Sequence, residues 1–345
     1  MTRFVQLHLL TSYPPSNLNR DDAGNPKTAR IGGIDRLRVS SQSLKRAWRT
    51  SEVFQQRLAG GIGTRTKRLG REVFDAFIAA GIAEKKAVEW AEQIAKVYGA
   101  LKKDDSLEIE QLVHIAPEER GSLDTLISRV AEEKRAPTDD ELKALLHAQH
   151  AVDIAMFGRM LAAQPKFNTD AAVQVAHAFG VHASAIEDDY FTAVDDLNTG
   201  EETGAGHVGE AGFAAAVFYQ YICIDRSLLK KNLGEDEALT KRALAALAEA
   251  ALTVGPAGKQ NSFASRARAH YALAEKGAHQ PRSLALAFVK PVTGIDYAAE
   301  AVAALTTLRT NMDKVYGPCS DHHYDFDVLK AEGSFQELLN FVSEE

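Results

Sequence analysis

Residues 36–49 read Arg36-Leu37-Arg38-Val39-Ser40-Ser41-Gln42-Ser43-Leu44-Lys45-Arg46-Ala47-Trp48-Arg49. The first half alternates with the period of a strand: Leu37 and Val39 fall on one side, Arg36, Arg38 and Ser40 on the other. The serines and Gln42 then offer N-cap side chains, and an amphipathic helix follows. On that helix Ser41, Lys45 and Arg49 recur every four residues as a polar stripe, while Leu44, Ala47 and Trp48 cover the apolar side. A strand edge bearing arginines thus feeds a helix whose first turns carry hydroxyls, free N–H groups and cations. Such a junction suits a phosphate chain, because the N-terminal end of a helix attracts anions. The same pattern also fits a solvated basic helix packed through Leu44 and Trp48.

Charge is unevenly placed around this stretch. Between Arg20 and Arg71 stand 13 Lys or Arg against four acids, a local charge of +9 in a chain whose total is −7. That asymmetry is expected of an anion-binding surface on an acidic body, unless folding brings acids from elsewhere beside these cations. The 345 residues predict two or three packed units, and 45% hydrophobic with 25% charged residues is ordinary for a globular protein. No apolar run is long enough to cross a bilayer, and Phe4–Leu10 is too short for a signal-peptide core. The two cysteines, Cys223 and Cys319, are far apart and fit a reduced cytoplasmic setting.

Outward from the central stretch, Phe4 to Thr11 reads as a first strand, and Ser12 to Gly33 as a long polar loop. Downstream, the Gly60-Gly61-Ile62-Gly63 break and the basic run Arg65, Lys67, Arg68, Arg71 precede a helical pattern from Arg71 to Lys103. A short helix is expected over Leu123–Val130. Thr138-Asp139-Asp140-Glu141 is a capping box for another helix, running to about Leu161. Strands return at Ala172–Phe179 and Phe213–Ile224. Between them Asn198–Gly212 is a Gly-rich protrusion. Helices near 235–253, 297–316 and 335–342, and a strand around Ala267–Ala274, complete the chain. With the helical block set aside, the order is strand, helix, strand, strand, helix, strand. This is the split βαβ, ferredoxin-like plan used by RNA-recognition modules, here without their aromatic sheet signature.

Asn17-Leu18-Asn19-Arg20-Asp21-Asp22, Arg38 through Ala47 and Thr192-Ala193-Val194-Asp195-Asp196-Leu197 together resemble the CasC family, the backbone subunits of the type I-E CRISPR surveillance complex Cascade. Phe157-Gly158-Arg159-Met160, Val175-Ala176-His177-Ala178, Gly209 through Tyr221 and Pro256-Ala257-Gly258-Lys259-Gln260 extend the likeness in the same order. The resemblance implies an α+β molecule of the RAMP superfamily, shaped like a hand. Its palm is RRM-like (residues 1–58, 171–196 and 213–345), its fingers are the helical insertion at 59–170, and its thumb is 197–212. It implies a non-catalytic subunit that polymerises along crRNA, protects the RNA backbone and presents bases to target DNA in antiviral defence. Its partners would be crRNA, further copies in a helical filament, and the large, small, 5′-handle-capping and guide-processing Cascade subunits. No cofactor, metal or membrane is expected.

Carried onto matching positions, the resemblance gives Arg38, Ser40, Gln42, Lys45, Arg46 and Arg49 the guide phosphates and sugars. Arg20, Lys27, Lys259 and Asn261 would add contacts from two loops. Met160 and Lys166, with Asn198, Thr203 and His207 of the thumb, would lie near a displaced nucleotide, as wedges do elsewhere. A rival reading is a metal- or histidine-dependent endoribonuclease on the same fold. It would use His8, or the aspartate pairs Asp21-Asp22 and Asp195-Asp196. Against it, adjacent aspartates more often cap turns, and a strand histidine without a nearby base is usually buried. Asp321-His322-His323-Tyr324-Asp325-Phe326-Asp327 resembles a ligand cluster but is expected to be a polar loop.

Overall fold

The computed structural model describes residues 2–146, 151–161, 164–193 and 207–345. In chain order these form β1 (Phe4–Ser16), β2 (Thr28–Ile31), β3 (Ile34–Val39), α1 (Ser41–Arg49), α2 (Glu52–Arg57), β4 (Thr64–Thr66), α3 (Leu69–Ala79) and α4 (Glu84–Tyr98). Next come β5 (Val113–Ile115), α5 (Pro117–Glu133), α6 (Asp139–Lys143), α7 (Val152–Phe157), β6 (Val173–Val175), β7 (Ala178–Gly180), β8 (Glu187–Ala193) and β9 (His207–Asp225). The remainder is α8 (Arg226–Asn232), α9 (Glu237–Thr253), α10 (Gln260–Phe263), β10 (Ala269–Gly277), α11 (Tyr297–Tyr316), β11 (His322–Asp327) and α12 (Phe335–Ser343).

The fold is mixed α+β and divides into two compact units. The first holds residues 1–54, 174–225 and 244–345. Its sheet runs β11-β10-β1-β9-β7-β3-β2, with β6 and β8 also paired to β9. β1 is central, antiparallel to both β10 and β9, which is why Val5, Leu7, Leu9 and Leu10 are all fully buried. Leu10, Tyr219, Tyr271 and Leu273 pack on one face against Phe288 and against Ala301, Val302 and Leu305 of α11. On the opposite face Leu44 of α1 meets Thr11, Tyr13, Val39 and Phe218 around a small cavity.

Several expected boundaries shift. The loop placed at Ser12–Gly33 is confined to residues 17–27. β1 continues to Ser16 because Tyr13 packs edge-on to Phe218 and a register irregularity takes up Pro14-Pro15. Gly32 and Gly33, at φ +62° and +84°, form the two-residue turn of the β2–β3 hairpin, a conformation that favours glycine. The single strand expected at Ala172–Phe179 is two, interrupted at Ala176-His177. The polar loop expected at Asp321–Asp327 is instead the edge strand β11, whose Asp325 accepts from the Tyr271 hydroxyl at 3.2 Å. No group of three or more metal-ligating side chains occurs among the described residues.

The second unit holds residues 55–173 and 226–243. Residues 226–243, placed in the palm from sequence, therefore cluster with the helical block. Phe77 of α3, Trp90 and Ile94 of α4 and Leu123 and Leu126 of α5 share its core. The helix expected over 71–103 is two, parted at Gly81 (φ +78°). The capping box is present: Thr138 accepts the Glu141 N–H while Glu141 accepts the Thr138 N–H. That helix ends at Lys143, and α7 is separate. Among the described residues no helix is long and apolar enough to cross a membrane.

Candidate nucleic-acid interface

Four segments of the first unit converge at the start of α1. Ser40 caps the helix, its hydroxyl accepting from the Ser43 N–H at 3.3 Å, and its own N–H donates to Asn19 Oδ1 at 2.9 Å. The Ser41 N–H donates to His177 Nδ1 at 3.2 Å, and Arg38 Nη1 approaches the same nitrogen at 3.0 Å. Two donors on one nitrogen leave it no proton, so the imidazole is neutral and protonated at Nε2. Partial desolvation, then the charges of Arg38 and Lys45, lower the His177 pKa, which favours the same state.

Along α1, Leu44 and Trp48 are buried as the apolar face requires, but Ser41 is buried with them, one heptad from Trp48. The expected Ser41-Lys45-Arg49 stripe therefore loses its first member. The outward side is Gln42 and Arg46, with Lys45 and Arg49 half-buried beside them. Arg36 also departs from the strand alternation. It is fully buried, donating to the backbone carbonyls of Gly180, Phe288 and Val289 at 3.0 to 3.3 Å. It serves the fold, and Arg38 is the arginine that β3 leaves at the surface.

The loop at 17–27 is ordered from within. Buried Asn17 donates to the carbonyls of Gly24 and Gly212, at 2.9 and 2.8 Å. Asp21 Oδ1 accepts from the N–H groups of Ala23 and Asn25, a turn-capping role. Lys27 and Arg38 are neighbours, the Arg38 N–H donating to the Lys27 carbonyl at 2.8 Å. The loop at 254–259 is pressed against this one: a Cβ on Gly258 would lie 2.7 Å from the Asn17 carbonyl oxygen. Lys259, in the left-handed region at φ +48°, and exposed Asn261 follow directly. Arg20, Lys27, Arg38, Ser40, Gln42, Lys45, Arg46, Arg49, Lys259 and Asn261 are thus borne by adjoining segments of one unit. Among the described residues Arg20, Lys27, Arg38, Arg46 and Lys259 form no ion pair with a carboxylate.

Other expected residues are not on these segments. Met160 and Lys166 belong to the helical unit. Met160 is 77% exposed between buried Arg159 and Leu161, and Lys166 lies 4.9 Å from the Phe167 ring centre. Asn198, Thr203, Asp195 and Asp196 lie outside the described residues, and His207 opens β9 opposite Ala193. His8 is completely enclosed, 2.9 Å from the Tyr219 hydroxyl and 3.2 Å from Glu275. Burial lowers its pKa against the pull of Glu275. His177 and Asn19 were not among the expected contacts. The Val175-Ala176-His177-Ala178 motif contains the histidine, but its meeting with Arg38 depends on β3 pairing with β7, about 140 residues away in sequence.

The fold and this surface define a two-unit α+β protein with a cationic face built on a strand–helix junction. The sequence profile of the CT1975-like protein family matches residues 5–338, and the chain belongs to that family. It is similar to a chain of a solved structure described as a CRISPR RNA-guided surveillance complex, pre-nicking, with 29% identity, a TM-score of 0.85 and 99% of each chain covered. A chain of a second structure, described as a CRISPR RNA-guided surveillance complex, matches at 25% identity and a TM-score of 0.74, again over 99% of each. No curated protein matches. The resemblance to a Cascade subunit read from the sequence is borne out by these matches.

Proposed function

We propose that this chain is a non-catalytic backbone subunit of a CRISPR surveillance complex, acting in the cytoplasm. It binds crRNA through the backbone, polymerises with further copies along it, and leaves the bases free to pair with target DNA. The observation that carries this reading is that Arg20, Lys27, Arg38, Arg46 and Lys259, on adjoining segments of one unit, form no ion pair with a carboxylate among the described residues. Phosphates are the anions that such a surface lacks. The order β10-β1-β9-β7 is the 4-1-3-2 order of the split βαβ plan, and it supports the palm assignment. The ribbon of β8 with residues 207–213 of β9, all of β8 being exposed, supports a thumb. Similarity to chains of surveillance complexes supports assembly with the other Cascade subunits.

His8 and Asp21, two of the groups a nuclease would need, are engaged in packing and in a turn. The test is incubation of the full chain with labelled single-stranded RNA and Mg²⁺, then with EDTA. A backbone subunit protects RNA at regular intervals and leaves it uncut. Metal-dependent products that vanish in Asp21→Ala or Asp196→Ala would overturn the reading.

A further inference from the structure

We propose that His177 is a positioning residue for RNA binding, which aims the Arg38 guanidinium beside the N-terminal turn of α1. The inference rests on the backbone-subunit reading and goes beyond it, to a residue that need not touch RNA through its own charge. β3 and β7 pair with Arg38 opposite Phe179 and Val39 opposite Ala178. Continuing that register sets His177 across from Ser40, at the point where strand becomes helix. From there one nitrogen, Nδ1, holds two donors of different elements: Arg38 Nη1 of β3 and the Ser41 N–H of α1. An arginine side chain is long and rotamer-rich, and fixing it costs entropy. A neutral acceptor fixes it without neutralising it, which a carboxylate in the same place would do. Only Nη1 is engaged with the imidazole, so the other guanidinium N–H groups remain for a phosphate. The same contact satisfies the Ser41 N–H, one of the donors that a helix start leaves unpaired, and so ties the direction of α1 to the arginine. The remaining ring proton, on Nε2, stands on an exposed side chain.

The test is a double-mutant cycle on the full chain, read as affinity for a labelled unstructured single-stranded RNA over a salt series. His177→Ala should weaken binding about tenfold, and Arg38→Ala by about the same factor, each worth about 1.4 kcal/mol. The double variant should be no weaker than Arg38→Ala alone, because both changes remove one contact. The salt slope should fall by about 0.7, the share of one phosphate on a single strand. His177→Asn, whose side-chain carbonyl can accept the same two N–H groups, should recover most of the loss, whereas a change in folding alone would not sort the two variants this way. Additive losses, or wild-type affinity and slope in His177→Ala, would overturn the proposal. Lys45→Ala combined with Arg49→Ala separates the two levels of the account. Loss of RNA in that variant but not in His177→Ala sinks only the role of His177, whereas wild-type binding in both sinks the backbone-binding reading itself.

Discussion

Two basic stretches, 36–49 and 65–71, place arginines beside different partners. In the second, Arg68 lies 3.7 Å from Glu108, Arg71 is 3.2 Å from Asp105, and Glu72 on the same helix takes Arg120 at 2.7 Å. Acids from residues 104–110 fold back onto these cations and compensate them. In the first, Arg36 is spent on three backbone carbonyls, Arg38 on an imidazole, and Arg46 is exposed with no carboxylate partner among the described residues. Two runs of similar composition thus differ in what the fold returns to them. A basic run marks an anion site only when its partners are neutral, and that is decided by tertiary structure.

Within the first stretch, Arg36 serves packing rather than anion binding. Replacing Arg36 by Leu should leave the carbonyls of Gly180, Phe288 and Val289 without their donor and destabilise the fold by about 3 kcal/mol or more, read by denaturant unfolding. Unfolding energies within about 0.5 kcal/mol of wild type would return Arg36 to the surface set. Next in size is the contrast between paired variants. Arg38→Ala with Arg46→Ala should cost on the order of a hundredfold in RNA affinity and lower the salt slope by about 1.4. Arg68→Ala with Arg71→Ala should change affinity less than about twofold, since screened surface pairs contribute little. Equal losses in the two would erase the distinction.

Smaller again is the effect of Gly258→Ala, which presses a methyl group into the backbone of Asn17 and Leu18. A loss of about 1 to 3 kcal/mol of stability is expected, together with weaker RNA binding as the two loops separate. Full stability would mean that the loops are not pressed together. The smallest effect is that of pH. The folded state holds His8 and His177 below the ordinary histidine pKa, His8 by burial and His177 by partial desolvation together with the charges of Arg38 and Lys45. Such groups bind fewer protons folded than unfolded, so their contribution is complete above about pH 6.5 and fades below it. Glu275 acts in the same sense at lower pH. Burial raises its pKa, but hydrogen bonds with His8 and Arg282 outweigh burial and hold it ionised. The melting temperature should fall between about pH 7 and pH 5; a flat or rising profile would contradict these states.

Much of the candidate site was legible because its signals are local. Ser40 as N-cap, the Leu44–Trp48 apolar face and the Thr138 capping box depend on residues within one or two turns. The losses are non-local. The Arg36 partners lie 144 to 253 residues away, and nothing near Arg36 announces them. Ser41 was misplaced because a hydroxyl reads as polar wherever the helix turns it. β11 was missed because the hydrophobic content of a strand is weak at the edge of a sheet, where His322, His323 and Asp325 stay exposed.

RNA phosphates are expected along 38–49 and its two adjoining loops. Photo-crosslinking of bound RNA to the full chain, followed by peptide mapping, tests it most directly. The account predicts adducts in the peptides that carry Arg20–Lys27, Arg38–Arg49 and Lys259–Asn261, and few in those that carry Arg65–Arg71. Adducts concentrated at Arg65–Arg71 and missing from Arg38–Arg49 would contradict it.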